Sequence, residues 1–172
     1  EIEMKDEGFI LMPLQGRLLE HRSFQSMAPL QMIEQTLAHS PLPVLATLHP
    51  KDTYSQPELE ALEQLVARHP RLRVQRGGSD QALPRCSAVG TQNSSLAFKG
   101  YFLQKPALVF AKIDFHHIAA SVPRDGLEAA FEQLAAPAPY TAYLYWFLHL
   151  HAINAGRPEC EAQILAQLRH LG

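Results

Sequence analysis

The stretch PVLATLHPKDTYSQPELEALEQLVARHPRLRV, residues 43–74, has the pattern of a strand, a helix and a second strand in succession. Its first six residues are largely apolar and lead directly to His49. Ser55 and Glu58 have the spacing of a capping box, which predicts that a helix begins there. A strand, a helix and another strand in this order are typical of the units that build parallel sheets.

The same alternation extends on both sides of this stretch and predicts the fold class. The strands are predicted at residues 9–12, 43–48, 72–75, 87–90 and 107–110. Because these runs are apolar almost throughout, the sheet is expected to be parallel and buried on both sides. We therefore expect an α/β fold with a Rossmann-like parallel sheet and helices on both faces.

The character of the sequence changes after Val122, where only helical patterns follow. The last of these patterns has its apolar side chains at Ile164, Leu165, Leu168 and Leu171. We expect these extra helices, over 124–172, to pack on the sheet, so that 1–172 forms a single domain. The chain does not begin with Met and a strand is predicted soon after its start, so we expect a fragment of a longer protein.

Composition and charge argue against several functional classes. The chain has 172 residues, of which 47% are hydrophobic and 19% are charged, with a formal net charge of -2. This composition suits a compact domain with a core, and the lack of a basic excess argues against nucleic-acid binding. No apolar run approaches the ~20 residues that a membrane-spanning helix needs. Cys86 and Cys160 lack the spacing of metal ligands, so no metal site is expected.

Polar residues follow all five predicted strands, at the point where each strand ends. After the first four strands they include Gln15, His49, Pro50, Arg76, Asn93, Ser94 and Ser95, and after the fifth they lie within residues 112–117. The carboxyl ends of parallel strands lie at one edge of a sheet, and ligands of open α/β sheets bind at that edge. The sequence therefore predicts a ligand site built from these residues.

Two of these groups have an ordinary structural explanation beside the functional one. His49 can donate a hydrogen bond to a phosphate oxygen or protonate it as it leaves, or it can be bonded to a nearby carbonyl. Residues 93–95 can cap the helix that follows them, and the same helix end can attract an anion. Both explanations stay open. His116 and His117 lack a third ligand at suitable spacing and are more simply a pair of loop residues.

Four segments resemble a known family when they are taken in order. These segments are PLQ (13–15), ATLHP (46–50), TQNSSLAFKGYFLQKPALVF (91–110) and YLYWFLHLHAINAG (143–156). They are similar to the capsular-polysaccharide synthesis glycosyltransferases, which include the Kdo transferases of capsule and lipopolysaccharide assembly. The resemblance covers most of residues 9 to 170, and the order of short motifs carries it.

The resemblance implies a GT-B fold, in which two Rossmann-like domains face each other and the C-terminal one binds the nucleotide sugar. This chain would be that donor-binding domain, with a CMP-sugar such as CMP-Kdo as its substrate and without a cofactor or metal. His49, in the His-Pro motif with Pro50, would contact the donor phosphate and act in catalysis. Ser94 and Ser95 would bind the same phosphate, beside Asn93.

Further expectations follow from the same resemblance. Gln15 and Arg76 would flank the cytidine or the sugar, whereas Lys99 stands where the family has an acidic residue. The partners would be a polysaccharide or glycolipid acceptor and an N-terminal acceptor domain, with no nucleic acid. The protein would be cytoplasmic, with a possible peripheral association with the inner membrane.

Two other functions remain as alternatives. One is a related GT-B transferase that uses another donor, such as CDP-glycerol or a UDP-sugar. The other is a non-catalytic α/β module that binds a partner protein. Buried and internally bonded side chains at His49 and Ser94 would favour the second of these alternatives.

Overall fold

The computed structural model of the protein describes residues 5–170. Within that range six strands form one sheet in which every pair is parallel. The strands are β1 (Ile10–Leu14), β2 (Val44–Leu48), β3 (Leu72–Arg76), β4 (Ala88–Thr91), β5 (Ala107–Val109) and β6 (Ala120–Ser121). The five predicted strands are therefore present, and β6 is an addition of two residues that lacks the apolar run by which the others were found.

The order of the strands across the sheet is β3-β2-β1-β4-β5-β6. This order is that of the Rossmann fold, in which the chain builds one half outward from β1 and then returns to build the other half from β4. The predicted fold class, α/β with a Rossmann-like parallel sheet, is confirmed. The reversal lies between β1 and β4, and ligands of such sheets bind in the crevice at that point.

Pro13 lies within β1, although the sequence predicted that the strand would end there. The Ile10 N–H donates to the Pro43 carbonyl oxygen, and the Leu14 carbonyl oxygen accepts from the His49 N–H. The backbone groups of the even-numbered residues of β1 therefore form hydrogen bonds with the β2 side. The backbone groups of the odd-numbered residues face β4, and the pairing of β1 with β4 ends at Leu11, before Pro13. A proline at position 13 therefore removes no hydrogen bond from the sheet, and β1 continues to Leu14, directly before Gln15.

Helices follow the strands as predicted. The α-helices are α1 (Pro29–His39), α2 (Gln56–Arg68), α3 (Ser79–Ala82), α4 (Leu96–Phe102), α5 (Val122–Asp125), α6 (Leu127–Gln133), α7 (Tyr140–Tyr145) and α8 (Cys160–His170). A 3-10 turn at Leu83–Arg85 precedes β4, and a π-helical turn at Trp146–His151 continues α7. The predicted capping box at the start of α2 is present.

Helices cover both faces of the sheet, because successive side chains of a strand point to opposite sides. Ile10 and Met12 are fully buried in one core cluster with Ile33 of α1 and Leu65 of α2. On the other face, α4 approaches β4 at Gly100, where an added Cβ would lie 3.5 Å from the Val89 side chain. The loops between strands and helices are thereby held at the edge where the strands end.

The chain forms two compact units, Glu1–Ala138 and Pro139–Gly172. The first contains the whole sheet with α1 to α6, and the second contains α7, the π-helical turn and α8. The single domain expected over 1–172 stays a prediction. Leu171, predicted on the apolar side of the last helix, lies outside the described residues. None of the helices between residues 5 and 170 has the length and apolar character needed to cross a membrane.

Candidate functional site

A cavity of about 390 Å³ lies at the carboxyl ends of β1, β2 and β4. It contains most of the residues that the sequence predicted for a ligand site, namely Gln15, His49, Pro50, Ser94 and Ser95. The remaining wall is formed by Thr47, the loop after β3 at residues 77–81, and Lys99. The cavity thus occupies the crevice where the strand order predicts a ligand.

His49 is held by its backbone and leaves most of its imidazole accessible. The His49 N–H lies 3.1 Å from the Leu14 carbonyl oxygen and 2.9 Å from the Tyr54 hydroxyl oxygen. The side chain is 48% exposed, with Nδ1 at 3.4 Å from Asp52 Oδ1. In the described part of the chain Nε2 has no hydrogen-bond partner. The imidazole is therefore not the carbonyl-bonded histidine of the structural alternative.

Asp52 joins the loops after β1 and β2, and the sequence analysis missed it. Its Oδ2 accepts a 2.8 Å hydrogen bond from the Gly16 N–H, while its Oδ1 faces the His49 ring. The carboxylate therefore fixes the loop beside Gln15 and lies next to the imidazole. Its position three residues after His49 in the same loop was the available signal.

Arg76 supports the loop that carries His49 and does not line the cavity. Its guanidinium donates to the carbonyl oxygens of Pro50 and Asp52, at 3.3 and 3.4 Å, and lies 5.4 Å from the centre of the Tyr54 ring. Arg76 is thus bonded to the carbonyl of Pro50, which lines the cavity, but is not itself one of the lining residues.

Ser94 is bonded to the helix that follows and still retains a proton to donate. The Ser94 N–H donates to Thr91 Oγ1 at 3.1 Å, and Ser94 Oγ accepts from the Leu96 N–H at 3.2 Å. A serine hydroxyl can accept this bond and donate its own proton elsewhere. Ser95 is exposed at the start of α4, and its side chain makes no cap bond there. Both serines line the cavity, so capping and ligand binding are compatible.

This difference between the two serines predicts different stability losses. Ser94→Ala removes the acceptor of the Leu96 N–H and should lower the free energy of unfolding by about 0.5–2 kcal/mol. Ser95→Ala removes no such bond and should change it by less than about 0.5 kcal/mol. Urea unfolding followed by circular dichroism measures both values. Equal losses for the two variants would contradict this assignment of the cap.

The wall opposite the serines contains an ion pair and a glycine turn. Lys99 Nζ lies 2.9 Å from Asp80 Oδ1, and both side chains are exposed. Gly77 and Gly78 have φ of 71° and 78°, values that favour glycine, and they turn the chain from β3 into α3. Lys99, at the position where the resemblance led us to expect an acidic residue, is therefore paired with the carboxylate of Asp80.

A second depression of about 460 Å³ adjoins the first and shares Gln15 and His49 with it. Arg17, Arg22 and the buried Glu58 also line it. The exposed Gln15 side chain therefore lies at the junction of the two depressions. The second depression combines two guanidinium groups with carboxylates, so its chemistry differs from that of the serine-lined cavity.

Glu58 anchors the loop after β1 to the start of α2. Its carboxylate accepts hydrogen bonds from the Leu18 N–H at 2.5 Å, the Ser55 N–H at 2.8 Å and the Ser55 hydroxyl at 2.7 Å. Burial raises the pKa of this carboxyl, but the hydrogen bonds, from Ser55 above all, outweigh burial and the pKa is lowered from its ordinary value. The sequence predicted Glu58 as a capping residue and missed its second contact, with Leu18.

Asn93 is placed apart from the neighbouring serines. It lines a small separate pocket together with Gln92, and its Oδ1 is buried.

His116 and His117 stack on each other with ring centres 4.4 Å apart, and His116 Nδ1 contacts the Ile113 carbonyl oxygen. Among the described residues no cluster of three or more His, Cys, Asp or Glu side chains is arranged to hold a metal ion.

The described site thus brings an accessible imidazole, two serine hydroxyls and a lysine–aspartate pair to one crevice of a Rossmann-like sheet. No protein-family model matches the chain, and no curated protein matches it.

Proposed function

We propose that the chain is the donor-binding domain of a GT-B glycosyltransferase that uses a CMP-sugar, such as CMP-Kdo, in capsule or lipopolysaccharide synthesis. The observation that carries this proposal is the meeting of His49 with Ser94 and Ser95 in one cavity at the switch between β1 and β4. His49 follows β2 and the two serines follow β4, and each side chain leaves a donor or an acceptor unused inside the described structure. The resemblance in the sequence supplies the identity of the donor.

The chemistry requires hydrogen-bond donors around a leaving phosphate. In the transfer an acceptor hydroxyl attacks the anomeric carbon, the bond from that carbon to the phosphate oxygen breaks, and the electron pair goes to that oxygen of CMP. His49 Nε2–H and the Ser94 hydroxyl would donate to the phosphate and stabilise its developing charge. The acceptor hydroxyl loses its proton to a base, which we place on the N-terminal acceptor domain.

The remaining parts of the proposal concern the partners and the location. The acceptor is a polysaccharide or glycolipid, no metal or cofactor takes part, and nucleic acid is not a ligand. The protein is cytoplasmic and associates peripherally with the inner membrane, where such acceptors are assembled.

Calorimetric titration of the chain with CMP, UMP and CDP tests the proposed donor class. We expect CMP to bind at least about tenfold more tightly than UMP, a difference of roughly 1.4 kcal/mol that recognition of the base supplies. Tighter binding of CDP than of CMP would favour CDP-glycerol as the donor, and a preference for UMP would favour a UDP-sugar. Failure of all three nucleotides to bind would contradict the proposal and favour a partner-binding module.

A further inference from the structure

A small pocket adjoins the cavity on the side of β4 and has a volume of about 10 Å³. Its polar wall consists of Gln15, Arg22, Thr91, Gln92 and Asn93, from the loop after β1 and the end of β4. Pro13, Leu14 and Gln15 line both this pocket and the larger cavity, so the two adjoin. We call it the switch pocket, because it lies where the strand order reverses between β1 and β4.

The orientation of the Gln92 amide is determined by its surroundings. Gln92 is 7% exposed, and its Nε2 donates a 2.9 Å hydrogen bond to the Met27 carbonyl oxygen. A reversed amide would turn two acceptor oxygens toward each other, so the nitrogen must face Met27. The oxygen Oε1 therefore points elsewhere, and within the described residues it has no hydrogen-bond partner. Gln92 thus contributes a buried acceptor to the wall of the switch pocket.

Two further buried atoms of the same wall also have no hydrogen-bond partner in the described part of the chain. They are Nε of Arg22, which can only donate, and Oδ1 of Asn93. The Arg22 guanidinium lies 4.8 Å from the centre of the Phe24 ring, which holds it over the loop. A buried polar group without a partner destabilises the folded state, and native proteins keep few of them. The Arg22 donor and the Gln92 acceptor in one pocket therefore point to a ligand group that can both accept and donate a hydrogen bond.

The size and polarity of the switch pocket restrict that ligand group. A volume of this size admits about one oxygen-sized atom. The hydrogen-bonding edge of a pyrimidine presents several polar atoms side by side and is too wide for it. A phosphate oxygen only accepts, so it would be repelled by the oxygen of Gln92. A hydroxyl group is small enough, and it both donates and accepts.

We propose that the switch pocket binds one hydroxyl group of a sugar in the ligand. The hydroxyl donates its proton to Gln92 Oε1 and accepts a hydrogen bond from Arg22 Nε. The inference rests on the proposed function, because it needs a nucleotide sugar with its phosphate near His49 and Ser94 in the adjoining cavity. The hydroxyl belongs either to the ribose of the nucleotide or to the transferred sugar, since both present the same chemistry.

Calorimetric titrations with four ligands distinguish these two sources. The 2′-deoxy and 3′-deoxy analogues of CMP each lack one ribose hydroxyl, and CMP-Kdo adds the transferred sugar to CMP. We expect one of the three affinity ratios, CMP to either deoxy analogue or CMP-Kdo to CMP, to include a gain of about tenfold from one hydrogen-bonded hydroxyl. That ratio should fall by about tenfold in Gln92→Met and in Arg22→Met. The ratio that falls identifies the sugar that enters the pocket.

Tyr101→Phe is the control. The Tyr101 side chain is 1% exposed, and its hydroxyl donates a 3.0 Å hydrogen bond to the Phe115 carbonyl oxygen. It lines neither the switch pocket nor the larger cavity, so its replacement should leave every ratio as in the wild type. A thermal melt of each variant shows whether it is folded. If Gln92→Met is unfolded, the test relies on Arg22→Met.

The outcomes separate this inference from the function on which it rests. If CMP binds and no ratio changes in Gln92→Met or Arg22→Met, the switch pocket is not a ligand subsite and the proposed function stands. An equal change in Tyr101→Phe would also overturn the inference, because the effect would then come from loss of a buried polar group in general. If CMP does not bind the wild type, the proposed function and the subsite are overturned together.

Discussion

Replacement of His49 by alanine should lower the affinity for CMP about 10- to 100-fold and leave the free energy of unfolding within about 0.5 kcal/mol of the wild type. The binding loss is large because a hydrogen bond to a charged phosphate contributes more than one between neutral groups. The stability change is small because the side chain is 48% exposed and its closest polar contacts are at 3.4 Å. Calorimetry with CMP and urea unfolding measure the two quantities.

His69→Ala is the control for this substitution. His69 follows α2 and precedes β3, so it lies at the opposite edge of the sheet from the cavity. Its replacement should leave CMP affinity unchanged. A variant of His49 that binds CMP normally but unfolds more easily would show that the histidine is structural.

Replacement of Glu58 by alanine should lower the free energy of unfolding by about 2–4 kcal/mol. Glu58 is 9% exposed, and its removal leaves three donors of Leu18 and Ser55 without their acceptor. The expected loss is large because the buried Leu18 N–H is left unsatisfied and the capping box at Ser55 is lost at the same time. Urea unfolding measures it, and Glu63→Ala, an exposed position on the same helix, should lie near the wild type. Equal effects of the two variants would contradict the anchoring role of Glu58.

The contribution of Glu58 to the free energy of unfolding should also depend on pH. The hydrogen bonds that Glu58 accepts lower its pKa in the folded state, despite burial, which acts in the opposite direction. The unfolded chain has the ordinary glutamate pKa of about 4.3, so the stabilisation is complete above that value. It is lost as the pH falls through the lower folded-state pKa. The difference in stability between the wild type and Glu58→Ala should therefore be constant near neutral pH and shrink below about pH 4.

The sequence predicted the sheet well because its strands are marked by runs of apolar residues. The run at 43–48 became β2, Val44–Leu48, and the run at 87–90 became β4, Ala88–Thr91. β6 was missed because a strand of two residues has no recognisable pattern. Pro13 was taken as the end of β1. The strand tolerates this proline because its backbone faces β4 beyond the last paired residue, and that could be known only from the pairing of the strands.

The site was predicted only in part, for a geometric reason. Gln15, His49 and Ser94 meet because each follows directly on a strand end, and parallel strands end at one edge. Arg76 also lies at a strand end, as the last residue of β3, but its side chain contacts the loop at Pro50, 26 residues away. Gln92 was missed because its role depends on Met27, 65 residues away, and such distant contacts leave no local pattern.

The central claim is that a CMP nucleotide binds at the carboxyl ends of β1, β2 and β4. Titration of the isotope-labelled chain with CMP, followed through backbone amide resonances, tests this claim most directly. The account predicts saturable shifts centred on Gln15, His49, Ser94 and the loop at residues 77–80. Shifts confined to the opposite edge of the sheet, near Val44 and Leu72, or no shifts at all, would contradict it.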